Sequence, residues 1–244
     1  MLIKLNILKY MSKLVLLNIL FLFFSCQNIS NISFKNIDIV NLPQASYADE
    51  FIVLDVRTNQ ERANGFLANS THIDFYDVAF LDKLNLLDKT KPIYIYCMVG
   101  GRSSKAANKI LKAGFNEVYN LNGGFLKWSN NNLLIEIPEK TNEVTTQQYN
   151  KSFLDSTINS NSNLLLYVST KWCAPCKKMN PVIDSLSKNY IKELKVLKLD
   201  LDQNMFLNEV YNIQSIPFFV LYKNNQQVWL KNGIIAYGEL VKKL

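Results

Sequence analysis

The apolar residues fall into short runs divided by polar turns, and three of these runs pass directly into helical spacing. Phe51-Ile52-Val53-Leu54 reads as a short strand leading into Asp55-Val56-Arg57, and Thr58-Asn59-Gln60-Glu61 then forms the pattern of a capping box that opens a helix. The transition recurs at Ile93-Tyr94-Ile95-Tyr96, followed by Cys97-Met98-Val99-Gly100-Gly101-Arg102-Ser103 and a helical stretch Ser104–Ala113 closed by Gly114. It returns at Leu164-Leu165-Leu166-Tyr167-Val168, where Ser169-Thr170-Lys171 leads to Trp172-Cys173-Ala174-Pro175-Cys176. Met179, Val182, Ile183 and Leu186 then keep helical spacing as far as Asn189, with Pro181 expected to kink that helix. After Ile137-Pro138-Glu139-Lys140 the apolar period lapses, and the polar run Thr141–Gln148 separates two folds. A chain of 244 residues has room for both.

Composition changes this picture mainly at the N-terminus. Lys4, Lys9 and Lys13 precede the apolar run Leu14–Phe24, which ends at Ser25-Cys26. A basic segment before a short apolar one is the pattern of a secretory signal, and the run is short for a permanent membrane span. Met11 offers a second starting point within it. The small Ser25 before Cys26 resembles a bacterial lipoprotein signal, which implies lipidation of Cys26 and attachment to the cell envelope, facing the periplasm. A retained signal anchor, or ordinary cleavage that leaves Cys26 as a free thiol, stays open as an alternative. The Asn- and Ser-rich residues that follow suit a flexible tether. The formal charge of +7 comes from 27 basic and 20 acidic side chains, and no basic stripe interleaved with aromatics points to nucleic acid.

The loop after Ile93–Tyr96 carries the first candidate chemistry. Cys97 stands at the carboxyl end of a strand, where open α/β sheets place their ligands. Gly100 and Gly101 let backbone N–H groups turn inward as an anion-binding nest, and the helix N-terminus and Arg102 add positive potential. These features would lower the Cys97 pKa and hold an anion beside it. The alternative is a buried, inert thiol. Leu54-Asp55-Val56-Arg57, Glu61, Gly65, the loop Cys97–Ser103 and Asn122-Gly123-Gly124 leading to Trp128 together resemble the rhodanese family of sulfurtransferases. That resemblance implies a parallel-sheet domain with Cys97 as the nucleophile that carries persulfide sulfur, and with Arg102, Gly100 and Gly101 binding a thiosulfate or persulfide donor. Four residues separate Cys97 from Arg102, which fits sulfur transfer better than the five-residue loops of related phosphatases. The single histidine, His72, is expected to be structural.

The second candidate is Cys173-Ala174-Pro175-Cys176. This spacing places the first sulfur at a helix N-terminus, where N–H groups and the dipole stabilise its thiolate, and the second one turn inward as the resolving thiol. Pro175 early in the helix costs little, because its missing N–H would have no partner there. One histidine and no second cysteine pair leave too few ligands for a zinc site. With Trp172 in front, Ile216-Pro217 downstream, Lys195–Asp200, Phe218–Tyr222, Gln227–Leu230 and Gly233 in order, the segment resembles thioredoxin. The resemblance implies a central mixed sheet, a cis Ile216-Pro217 peptide, Cys173 as attacking and Cys176 as resolving thiol, and Trp172 and Pro217 at the substrate surface. It departs from the family at Tyr167, where a buried aspartate is usual.

The expected organisation is a signal over residues 1–25, a tether over 26–39, a rhodanese-like domain over 40–135, a linker over 136–143 and a thioredoxin-like domain over 144–244. The expected function is thiol–disulfide exchange with protein disulfides, joined to sulfur handling at Cys97, with no metal or other cofactor. The competing reading keeps the thioredoxin chemistry and makes the rhodanese-like domain a non-catalytic binding module.

Overall fold

A computed structural model describes residues 33–42, 50–138, 148–190 and 194–244. The expected signal, residues 26–32 of the tether with Cys26, and residues 139–143 of the linker lie outside these residues. In chain order the first domain comprises β1 (Lys35–Asp38), β2 (Ile52–Asp55), α1 (Asn59–Arg62), β3 (Phe66–Leu67), β4 (Thr71–His72) and α2 (Phe80–Asn85). It continues with β5 (Ile93–Tyr96), α3 (Gly101–Lys112), β6 (Val118–Asn122), α4 (Gly124–Asn130) and β7 (Ile135–Glu136). The second comprises α5 (Lys151–Asn159), β8 (Asn163–Ser169), α6 (Ala174–Asn189), β9 (Lys195–Asp200), α7 (Phe206–Tyr211), β10 (Phe218–Lys223), β11 (Gln226–Asn232) and α8 (Tyr237–Val241).

Both domains are mixed α/β. The first sheet runs β1-β6-β5-β2-β4 with every pair parallel. Its central strands β2 and β5 are nearly continuously apolar because both faces are covered. Ile52, Leu54, Ile93 and Ile95 pack with Ala106, Ala107 and Ile110 of α3, while Phe51, Val53, Tyr96 and Leu121 pack on the other side with Phe125 and Trp128. The second sheet runs β11-β10-β8-β9, antiparallel except for the parallel β8–β9 pair. Here too the faces alternate. Leu164, Leu166 and Val168 join one core, while Leu165 and Tyr167 join the other beneath Met179, Ile183 and Leu186 of α6.

One expectation requires correction. The tether was placed over residues 26–39, yet Lys35–Asp38 is β1, paired with Tyr119–Asn122 of β6. A polar strand forms there because β6 offers an open edge, and Ile39 then enters the core completely. Helix α6 starts at Ala174 with Cys173 as its N-cap, in line with the expected place of the cysteine pair at a helix N-terminus.

Phe34–Leu244 forms one compact unit, and defined hydrogen bonds join its two domains. The His72 N–H donates to the Trp172 carbonyl (3.1 Å), the Ile216 N–H to the Leu86 carbonyl (3.1 Å) and the Ala174 N–H to Thr71 Oγ1 (3.3 Å). Leu86 packs against the second core, and Trp172 packs against cores of both domains.

Candidate functional site

The Cys97 loop is held by backbone geometry from two sides. Gly100 caps α3 with φ +114°, a left-handed conformation, and this turns its N–H onto Cys97 Sγ at 3.1 Å. Ser103 Oγ lies 3.5 Å from the same sulfur. Burial pushes the Cys97 thiol up, but the Ser103 hydroxyl and the N–H groups of Ser103, Gly100 and Val99 outweigh it, and the net shift is downward. Gly101 needs no special backbone freedom: it begins α3, and a Cβ there would meet nothing within 4 Å. From the other side, the Phe125 and Leu126 N–H groups at the start of α4 donate to the Cys97 and Met98 carbonyls at 2.8 and 3.0 Å. A Cβ on Gly124 would stand 2.5 Å from the Cys97 carbonyl oxygen, so this close approach requires glycine.

Arg102 was expected to face an external anion. Its guanidinium instead grips the Glu61 carboxylate through two bonds of 2.7 and 2.5 Å. Glu61 is fixed by the capping box with Thr58, as the sequence implied. The Arg102 bond, aided by the Thr58 backbone and hydroxyl, holds the Glu61 carboxyl down at about 2. The internal carboxylate therefore neutralises the cation of the loop. Cys97 is only 1% exposed.

Beneath the loop lies a wholly buried ionic cluster. Asp55 accepts from the Arg57 N–H, from Arg57 Nε and Nη2, from Arg62 Nη1 and from the Tyr96 hydroxyl. Arg57 reaches on to the Gly65 carbonyl and stacks 4.0 Å from the Phe125 ring centroid. His72 is structural, as expected: its Nε2 lies 2.8 Å from the Arg57 carbonyl, and burial lowers its pKa.

In the second domain Cys173 and Cys176 are joined by a disulfide, with their Cα atoms 5.2 Å apart. Cys173 is the N-cap of α6, and its sulfur accepts the Cys176 N–H at 3.1 Å. An orphan donor of the first helical turn thus points at the Cys173 sulfur. Pro175 occupies the first turn, and Ile216-Pro217 is cis. Trp172 Nε1 donates to Asp202. Tyr167 is buried, and its hydroxyl donates to the Cys176 carbonyl (2.9 Å) and lies 3.1 Å from Asn180 Oδ1. Burial raises its pKa, so this position supplies no base to Cys176. Lys198, in the neighbouring strand, pairs with Asp184.

The expected exposed edge at Cys173 is absent. Cys173 is 0% and Cys176 1% exposed, because β4 of the first domain bonds to the residues on both sides of Cys173. Nothing in the sequence signals this cover, or the Glu61–Arg102 clamp. The Gly123-Gly124 pair was visible, but its mechanical role was not. Among the described residues, no group of three or more His, Cys, Asp or Glu side chains is arranged to hold a metal, and no helix is long and apolar enough to cross a membrane.

Residues 141–244 match the family model for thioredoxin, and residues 41–131 match that for the rhodanese-like domain. Thioredoxin from Rickettsia felis is 37% identical over 100 residues, covering 41% of this chain and 91% of the relative. Thioredoxin from Rickettsia bellii is 34% identical over 92 residues, covering 38% and 88%. A solved thioredoxin from Plasmodium falciparum superposes with a TM-score of 0.36 at 32% identity, over 38% of this chain and 92% of its own. Thioredoxin and rhodanese-like domains together support thiol–disulfide oxidoreductase activity. This chain belongs to the thioredoxin family, and carries a rhodanese-like domain ahead of its thioredoxin domain.

Proposed function

We propose that the chain exchanges disulfides with protein substrates through Cys173 and Cys176, and that Cys97 carries sulfane sulfur as a persulfide. The carrying observation is the placement of Cys173 Sγ at the N-cap of α6, with the Cys176 N–H on it. In the dithiol form the Cys173 thiolate attacks a substrate disulfide, one substrate thiolate leaves, and a mixed disulfide forms. The Cys176 thiolate then attacks Cys173 and releases the second substrate thiol, so the substrate gains two electrons as the protein disulfide closes. At Cys97 the thiolate attacks the outer sulfur of thiosulfate, sulfite leaves, and a Cys97 persulfide remains. The hydrogen bonds from Gly100 and Ser103 that lower the Cys97 pKa support this step.

Cys176→Ser is expected to accumulate stable mixed disulfides with protein substrates, and Cys173→Ser almost none, as read by non-reducing electrophoresis and mass spectrometry. Equal trapping by the two variants would reverse the assigned order of attack. A second reading, in which the rhodanese-like domain only binds, draws on the burial of Cys97 and the engagement of Arg102 by Glu61. Cys97→Ser separates the two in a thiosulfate:cyanide assay, where sulfur transfer is lost only if Cys97 is the carrier.

We also propose that Cys26 is lipidated and holds the protein to the periplasmic face of the envelope, on the strength of the basic and apolar residues that precede it. Cys26→Ala should then shift the protein out of the membrane fraction. Unchanged fractionation and mass would count against the anchor.

A further inference from the structure

Exchange at a disulfide requires the incoming thiolate to approach one sulfur in line with the S–S bond, so the sulfur must be accessible. In this chain both sulfurs are sealed at the N-terminal end of α6. The seal is made by the first domain through two main-chain groups and one hydroxyl. The Trp172 carbonyl, the Ala174 N–H and the Ile216 N–H surround the cysteine pair, and they are taken up by the His72 N–H, the Thr71 hydroxyl and the Leu86 carbonyl. A carbonyl and two N–H groups around an apolar surface are the partners an extended polypeptide needs to bind by strand addition. Strand β4 is suited to that place, because among the described residues it lies at the edge of its sheet and pairs only with β2.

The contact has the character of a separable interface. A cavity of about 440 Å³ lined by Arg62, His72, Lys83, Lys171, Trp172 and Lys177 opens beside it. A second of about 210 Å³ lies between Phe66, Ser70 and Ala174. Polar, incompletely filled contacts between domains are of the kind that part and re-form. The Cys97 loop takes part in none of the three hydrogen bonds, and its sulfur is held by its own Gly100 and Ser103.

We propose that the edge strand Thr71–His72, together with Leu86, is a built-in cap that occupies the substrate-docking surface of the Cys173–Cys176 site, so that an extended polypeptide substrate must displace the rhodanese-like domain to react. This rests on the oxidoreductase reading above and adds its regulation. Attack of a reduced Cys173 thiolate on the outer sulfur of a Cys97 persulfide, which leaves a Cys97 thiolate and a Cys173 persulfide, then also requires the domains to rearrange first.

The test uses the full-length protein and two variants outside the redox machinery. Leu86→Asp places a carboxylate against the second core, and Thr71→Val removes the acceptor of the Ala174 N–H while keeping the side-chain shape. The readout is the rate at which the oxidised protein is reduced by a protein dithiol, followed by alkylation and mass. Leu86→Asp should react at least tenfold faster than wild type, with Thr71→Val between them. Equal rates for all three, with Leu86→Asp folded by circular dichroism, would overturn the cap while leaving the oxidoreductase reading intact. If instead the reduced Leu86→Asp protein transfers no electrons to any protein disulfide, the oxidoreductase reading fails. A measurement on wild type alone guards against a misfolded variant: the Ala174 and Ile216 amides should exchange with deuterium at least 100-fold more slowly than in an unstructured peptide. Exchange at the unprotected rate would exclude the cap.

Discussion

Asp55→Ala should unfold the rhodanese-like domain under conditions that leave the thioredoxin domain intact. The substitution leaves Arg57, whose side chain is 0% exposed, and Arg62, at 10%, without their shared carboxylate. Removing one member of a buried ionic group costs about 3–5 kcal/mol, because the remaining charge stays desolvated. Small domains are stable by about 5–15 kcal/mol in all, so the loss is a large share. The expected result is a drop in melting temperature on the order of 20 °C for the first domain, taking about 4–8 °C per kcal/mol at this size. Hydrogen exchange locates the damage: amides of β2 and β5 should lose protection while those of β8 and β10 keep theirs. A loss below about 1 kcal/mol would refute the ionic account. Acid should act in the same direction. Burial raises the Asp55 pKa, but its bonds and charges from Arg57, Arg62 and Tyr96 lower it further, so the net shift is downward. The stabilisation is therefore complete above the unfolded value of about 4, and is lost as pH falls through the lowered native one.

Gly124→Ala should disable Cys97 without touching it. Gly124 has φ +56°, and its added Cβ would lie 2.5 Å from the Cys97 oxygen and 2.6 Å from the Met98 carbonyl carbon. Left-handed backbone costs alanine about 1–2 kcal/mol. The clash adds about 1–3 kcal/mol more, because its partners are main-chain atoms that no rotamer change can move aside. A total on the order of 3 kcal/mol is expected, together with displacement of the loop. Displacement withdraws the Gly100, Val99 and Ser103 donors, so the pH midpoint for alkylation of the Cys97 peptide should rise toward the ordinary thiol value of about 8.5. Gly101→Ala is the control, since it meets no atom within 4 Å, and it should leave both stability and midpoint nearly unchanged. A Gly124→Ala protein that titrates like wild type would show that α4 does not hold the loop.

The parts of this molecule that could be read from its sequence are those fixed by near neighbours along the chain. The Thr58–Glu61 capping box and the strand Ile52–Asp55 follow from local spacing, and the hairpin β10–β11 from the resemblance to thioredoxin. Spacing also places the two cysteines at the start of α6. Features set by distant pairing were not legible. The sequence Lys35-Asn36-Ile37-Asp38 has no strand period, and becomes β1 only because β6 lies beside it. Arg102 looked like a free cation because Glu61 stands 41 residues away in the chain. The burial of Cys173 depends on Thr71, which is 103 residues from Ala174. Spacing around a cysteine reports what its helix does to it, whereas the neighbouring domain that covers it leaves no trace in that spacing.

The position of β4 also bears on solubility. An edge strand with unused main-chain groups is a template for pairing with other chains, and proteins usually blunt such edges. Here the His72 N–H is occupied by the Trp172 carbonyl, and the Trp172 ring is drawn into apolar cores of both domains. Each domain therefore covers the stickiest surface of the other. Once they separate, a bare strand edge and an indole face reach solvent together, so the form that can meet a substrate is also the form most prone to self-association. The fraction of time the chain spends open is then bounded from above by its own colloidal stability.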